Sequence, residues 1–282
     1  MSRAGFLAIT RPANSVVAGL AAIIAYLIAT GTVVPAVLLL FTIVVLITAA
    51  GNVINDYFDA AIDAINRPER PIPSGAVSRA GARAYATTLF FAGILISLFT
   101  PPLCIATAVF NSLLLVAYAA RLKSKPVVGN IAVSYLTASI FLFGGALAGR
   151  EGLFHMLPVA AITFLAILAR EILKDAEDVE GDRAGGADTL PIRIGIRPTA
   201  GLACASALLA AAASIVPSLW WGSWYLAGIA MVDCIIVGAT LLAVRCTTPA
   251  CVRALRSTTI IKAGMFAALV VFTLSAILLQ MR

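Results

Sequence analysis

The chain is 282 residues long, 61% of them hydrophobic and 12% charged, with a mean hydropathy of +1.03 and a formal charge of +7. A soluble domain carries about 25% charged residues, so a water-soluble globule is excluded, and the positive charge is no nucleic-acid footprint because no aromatic-studded basic segment accompanies it. Apolar runs able to cross a hydrocarbon layer of about 30 Å recur along the whole length, so residues 1–282 are expected to form a single all-α integral membrane domain.

From the N-terminus, the first apolar run, 13–30, has no small-residue cleavage pattern behind it and leads directly into a second at 35–55. It is therefore expected to be a retained helix and not a signal peptide. Further runs at 84–100, 103–120, 128–148, 156–174, 199–216, 224–244 and 260–280 bring the total to about nine spans. With nine, the N-terminus and the even-numbered connections share one side, and eighteen of the twenty Lys and Arg fall there, leaving Arg150 and Arg282 opposite. That asymmetry predicts a multi-pass protein of the cell membrane whose N-terminus and even connections are cytoplasmic. Cys104, Cys204, Cys234, Cys246 and Cys251 form no Cys-x-x-Cys pair, have no histidine beside them, and read as plain helix residues.

Of thirteen acids, all but Glu151 and Asp233 lie in or beside the second and sixth connections. At the end of the second span, Asn52, Asp56, Asp59 and Asp63 follow i, i+4, i+7, i+11, one face of a helix. At the end of the sixth, Glu171, Asp175, Asp178 and Asp182 repeat that spacing. Isolated acids at a membrane surface are usually solvated loop residues. Several carboxylates on one face, however, repel one another and oppose the negative end of the helix dipole. A hard divalent cation with oxygen ligands compensates them best, and magnesium typically adds substrate phosphate oxygens to one or two carboxylates. The two clusters are expected to cradle a diphosphate bridged by Mg2+.

Arg67 and Arg70 flank the rigid Pro-rich turn 66–75 beside the first cluster. With Lys123 and Lys174 they are the candidate diphosphate contacts, although each taken singly also serves as a positive-inside anchor. Asn14, Asn111 and Asn130 are expected at cytoplasmic span ends, where an Asn is more often a cap. Asp233, inside the eighth span, is either functional or a neutral hydrogen-bonded group. His155, the single histidine, is expected near the outer surface, away from the chemistry.

These motifs resemble the UbiA superfamily of intramembrane prenyltransferases. Its first motif stands intact as Asn55, Asp56, Asp59 and Asp63, and its second as Asp175, Asp178 and Asp182, while Tyr118–Lys123 with Gly129-Asn130 resembles the connection where a Lys meets the diphosphate. The resemblance spans essentially the whole chain. It implies a bundle of about nine helices around a central cavity opening to the cytoplasmic side, with Mg2+ held by those seven residues and Asp59 and Asp178 carrying the catalysis. Within the superfamily, Arg-Glu-Ile-Leu-Lys-Asp at 170–175 and Arg-Pro-Ile-Pro-Ser-Gly at 70–75 are most similar to archaeal geranylgeranylglyceryl phosphate geranylgeranyltransferases. That implies an isoprenyl diphosphate donor, a prenylated glyceryl phosphate acceptor and formation of an archaeal ether lipid in the membrane. An aromatic or chlorin acceptor is the alternative. A secondary transporter with inverted repeats would put the two clusters on opposite membrane faces, whereas here both sit on one.

Overall fold

The computed structural model describes residues 2–280; Arg282 lies outside the described residues, as does the side chain of Asn66. Among the described residues, nine helices are long and apolar enough to cross a membrane. They are α2 (Pro12–Thr30), α3 (Val37–Asn66), α4 (Arg79–Ser97), α5 (Pro102–Ala117), α6 (Val128–Leu147), α7 (Gly149–Ala184), α9 (Ile196–Ala213), α10 (Ser218–Ala243) and α12 (Ser257–Gln280). Three short helices that the apolar pattern does not announce are α1 (Arg3–Ile9), α8 (Leu190–Ile194) and α11 (Pro249–Leu255), the last leading directly into α12 as part of the ninth span.

Local chemistry explains several boundaries. Pro12, Pro102 and Pro249 occupy first-turn positions, where a missing N–H costs nothing. The Ser78 hydroxyl accepts from the Gly81 N–H at 3.0 Å and caps α4. Two boundaries expected from hydropathy move. The second span does not stop at 55 but continues helical through Asn66, and the sixth runs past 174 to Ala184. At 1.5 Å per residue these helices are roughly 45 and 54 Å long, well beyond a hydrocarbon layer of about 30 Å. Both acidic clusters therefore ride on helix that overshoots the membrane. The excess length of α3 is packed against α1 and α4 by a small core of Ile9, Val53, Ile54, Val77 and Ala82.

Each span packs against the next, and α12 packs against α2, so the nine close into a ring. A further contact crosses it: α2 packs directly against α6. There a Cβ on Gly144 would stand 2.6 Å from the Ala25 Cβ and 2.7 Å from the Tyr26 nitrogen, so only glycine permits this approach. The crossing pinches the ring into two lobes.

The cysteine expectation needs correction. Cys246 and Cys251 are joined by a disulfide in the connection from α10 into α11, and only Cys104, Cys204 and Cys234 are free. Nothing in a bare five-residue spacing announces that pair. Asn111 is also misplaced by the sequence reading. It lies in the body of α5, where its amide donates to the Ser139 hydroxyl at 2.8 Å.

Candidate functional site

The first cluster divides into two layers. Asp56 and Asp63 are buried, 5% and 9% exposed at the side chain. Arg11 Nη2 donates to Asp56 Oδ1 at 2.6 Å, and Arg70 Nη1 reaches Asp56 Oδ1 at 3.3 Å and Asp63 Oδ2 at 2.6 Å. Arg70 Nη1 thus bridges two protein carboxylates, while the residue also lines the cavity described below. Asn55 and Asp59 form the other layer: Asn55 Nδ2 donates to Asp59 Oδ2 at 2.9 Å, and Asp59 is also paired with Lys123. Beneath them Asn52 donates to the Thr10 carbonyl at 3.0 Å, which ties the α1–α2 junction to the motif.

Lys123 is aimed by unusual backbone. The chain leaves α5 through a π-helical turn, Tyr118–Leu122, a geometry often found at functional sites. It then enters α6 through Val127 at φ 64°, a left-handed conformation that a β-branched residue rarely adopts. Gly129 lets the two segments close, since a Cβ there would meet the Leu122 carbonyl at 2.9 Å.

In the second cluster, Asp175 Oδ2 accepts from Asn130 Nδ2 at 2.9 Å. Asn130 is 8% exposed and in the first turn of α6, and its side chain is committed to α7 instead of capping its own helix. Asp182 is half-buried and Asp178 is exposed. Glu177 accepts from the Thr258 hydroxyl at 2.9 Å, and Arg253 donates to the Glu177 carbonyl at 2.7 Å, so α11 and α12 brace this end of α7.

Asn55, Asp59 and Asp63 from α3 and Lys174 from α7 line one cavity of about 730 Å3, together with Arg11, Arg67 and Arg70. The Tyr118 hydroxyl is within electrostatic reach of Asp59 on one side and of Glu171 and Asp175 on the other. At the helix ends, a Cβ on Gly185 would lie 3.6 Å from the Ile62 methyl. The two clusters thus meet across one space, although Asp175, Asp178 and Asp182 do not reach the cavity wall. The far wall is apolar, with Val17, Ile43, Ile47 and Phe143. Such a space suits a ligand with an anionic head and a hydrocarbon tail.

Arg11, which pairs with Asp56 and lines the cavity, is the residue that sequence reasoning left out of the site. A lone Arg before Pro12 counts only as a membrane anchor, and its partner Asp56 is 45 positions away. His155 packs against Trp220, with ring centroids 5.5 Å apart, and lies towards the opposite end of α7 from the second cluster. Asp233 accepts a 2.5 Å hydrogen bond from the Ser214 hydroxyl.

Comparison with known proteins points one way. The model of the UbiA prenyltransferase family matches residues 16–270. The chain is similar to the digeranylgeranylglyceryl phosphate synthase of Methanoregula boonei, 68% identical over 275 residues that cover 98% of this chain and 99% of that one. The synthase of Methanoculleus marisnigri is 59% identical over 99% of this chain and 100% of its own. A solved structure of digeranylgeranylglyceryl phosphate synthase superposes with a TM-score of 0.88 at 35% identity, covering 97% of this chain and 98% of that one. A UbiA homolog from Archaeoglobus fulgidus bound to GPP and Mg2+ shares the fold, with a TM-score of 0.68 at 17% identity over 94% and 99% of the two chains.

Proposed function

The chain belongs to the UbiA prenyltransferase family, and we propose that it moves a geranylgeranyl group from geranylgeranyl diphosphate to the sn-2 hydroxyl of geranylgeranylglyceryl phosphate, releasing pyrophosphate, in archaeal ether-lipid synthesis. The observation that carries this reading is the single cavity onto which Asn55, Asp59, Asp63 and Lys174 open beside an apolar wall. The near-full-length identity to named synthases favours the glyceryl phosphate acceptor over an aromatic or chlorin one. The distribution of Lys and Arg supports a cytoplasmic N-terminus and site.

Asn55, Asp59, Asp175, Asp178 and Asp182 offer oxygen ligands only, the donor set of a hard cation such as magnesium. Among the described residues no three His, Cys, Asp or Glu side chains converge on a point to hold a metal unaided. When bound, magnesium supplies Lewis-acid stabilisation of the charge that grows on the leaving diphosphate. Arg67 and Lys174 make no ion pair among the described residues and face the same cavity, free to meet phosphate oxygens. Arg11 and Arg70 pair with Asp56 and Asp63 on the helix face that carries Asp59. The allylic C1–O bond breaks with both electrons leaving on pyrophosphate. The acceptor hydroxyl oxygen then bonds to C1, and its proton passes to a carboxylate such as Asp59 or to the departing pyrophosphate.

The test is transfer of labelled geranylgeranyl groups by purified protein with magnesium, offering geranylgeranylglyceryl phosphate beside 4-hydroxybenzoate. Ether formation that releases pyrophosphate and falls more than about a hundredfold in Asp59→Ala and Asp178→Ala is expected. Label reaching only the aromatic acceptor would overturn the assignment.

A further inference from the structure

The α2–α6 crossing leaves a second cavity in the other lobe, about 420 Å3, bounded by α2, α6, α7, α9, α10 and α12. It is apolar except for a few groups. Asp233 is occupied by Ser214, and Lys262 makes no ion pair among the described residues. Arg170 commits Nη1 to the neighbouring Glu171, and its Nε is buried with no hydrogen-bond partner among the described residues. Arg170 keeps 26% of its side chain exposed and lines the cavity, so its guanidinium can reach a bound anion.

The Thr258–Glu177 hydrogen bond pins α12 to α7. Counting 1.5 Å per residue away from it, Arg170 lies about 10 Å and Lys262 about 6 Å further towards the membrane interior. Both side chains line the one cavity from facing helices, near the charged ends of their spans. Asp233 is the one carboxylate on the wall of this cavity among the described residues, in place of the stripes of several that the two clusters carry. A phosphate monoester carries about −1.5 to −2 charge at neutral pH, which the Lys262 ammonium can meet together with the part of the Arg170 guanidinium that Glu171 does not hold. Asn14 and Thr137 line both cavities, so the lobes meet there.

We infer that the second cavity is the acceptor subsite. Arg170 and Lys262 grip the phosphate monoester of the acceptor lipid, its prenyl chain runs along Ile162 and Phe266 towards Phe272, and its free hydroxyl reaches the donor carbon past Asn14 and Thr137. This rests on the acceptor named above. It assigns the two anions of the reaction to separate cradles, one built for a metal and one without.

The test varies the acceptor at saturating donor, comparing geranylgeranylglyceryl phosphate with geranylgeranylglycerol, the same lipid lacking phosphate, in wild type, Lys262→Met, Lys262→Arg and Arg170→Gln. Losing one charged contact should raise the KM for the phosphorylated lipid about ten- to hundredfold in Lys262→Met and Arg170→Gln. The KM for donor should stay put, the KM for geranylgeranylglycerol should not move, and Lys262→Arg should recover most of the loss. Binding of labelled phosphorylated lipid without magnesium should weaken in parallel, while inorganic phosphate competes poorly. A rise in donor KM instead, or equal weakening of both acceptors, overturns the inference, as does an unchanged acceptor KM in the variants while wild type transfers normally. A wild-type protein that transfers to neither lipid overturns the function proposed above and this inference with it. If Arg170→Gln does not fold, the two Lys262 variants decide the matter alone.

Discussion

Replacing Arg70 with Met separates scaffolding from phosphate binding at the first cluster. Arg70 is the one partner shared by Asp56 and Asp63, and Asp63, 9% exposed at its side chain, has no other ion pair among the described residues. Asp56 keeps Arg11 at 2.6 Å. The substitution therefore strands one buried carboxylate. Breaking a buried pair costs about 3–5 kcal/mol; because Arg70 keeps 17% of its side chain exposed at the water end of α3, the lower figure of about 3 kcal/mol applies. At about 2–4 °C per kcal/mol for a chain of this size, the melting temperature should fall by roughly 6–12 °C. Cys104 and Cys204 are buried thiols, so a maleimide dye that fluoresces on thiol addition reports unfolding in detergent or nanodiscs. Arg70→Met with Asp63→Leu removes both charges at once and should recover most of the loss, since replacing a buried pair with apolar groups is often neutral. An Arg70→Met protein that melts with wild type while losing donor affinity would refute the scaffold assignment and return Arg70 to the diphosphate.

Asn130→Leu removes the hydrogen bond to Asp175 without touching either cavity wall directly. A lost supporting hydrogen bond of this kind typically costs about ten- to a hundredfold in metal affinity, so a magnesium titration of turnover should shift by that factor while the acceptor KM holds. Gly144→Val drives a branched side chain into Ala25 and Tyr26. It should cost about 3 kcal/mol or more and collapse the yield of folded protein by size exclusion, whereas a substitution at Gly201, where an added Cβ meets nothing, should be tolerated.

Composition and periodicity carry the architecture because a span must satisfy its backbone internally and present apolar side chains over a fixed length. The i, i+4, i+7, i+11 spacing likewise puts Asp56, Asp59 and Asp63 on one face before any coordinates exist. Hydropathy cannot say where α3 ends, because helical hydrogen bonding continues past the lipid wherever a packing surface exists, and here Ile9 and Val77 provide one. Spacing also cannot divide a stripe into layers. Whether Asp56 faces substrate or Arg11 depends on a partner 45 residues away. Asn130 reads as a cap until α7 places Asp175 against it. The Gly144 crossing, which makes two lobes from one ring, depends on a contact between non-consecutive spans that no local pattern encodes.

Because α3 and α7 carry their carboxylates past the end of the apolar layer, bond breaking falls on a boundary between two solvents. Pyrophosphate emerges on the aqueous side and is diluted there. Both prenyl chains stay in hydrocarbon, where each buried CH2 contributes about 0.8 kcal/mol to retention. The two products therefore part into different phases as they form, and the reverse reaction requires an anion from three-dimensional solution to find a lipid that has diffused off in two. The length of α3 and α7 beyond an apolar layer of about 30 Å is what separates the two products in this way.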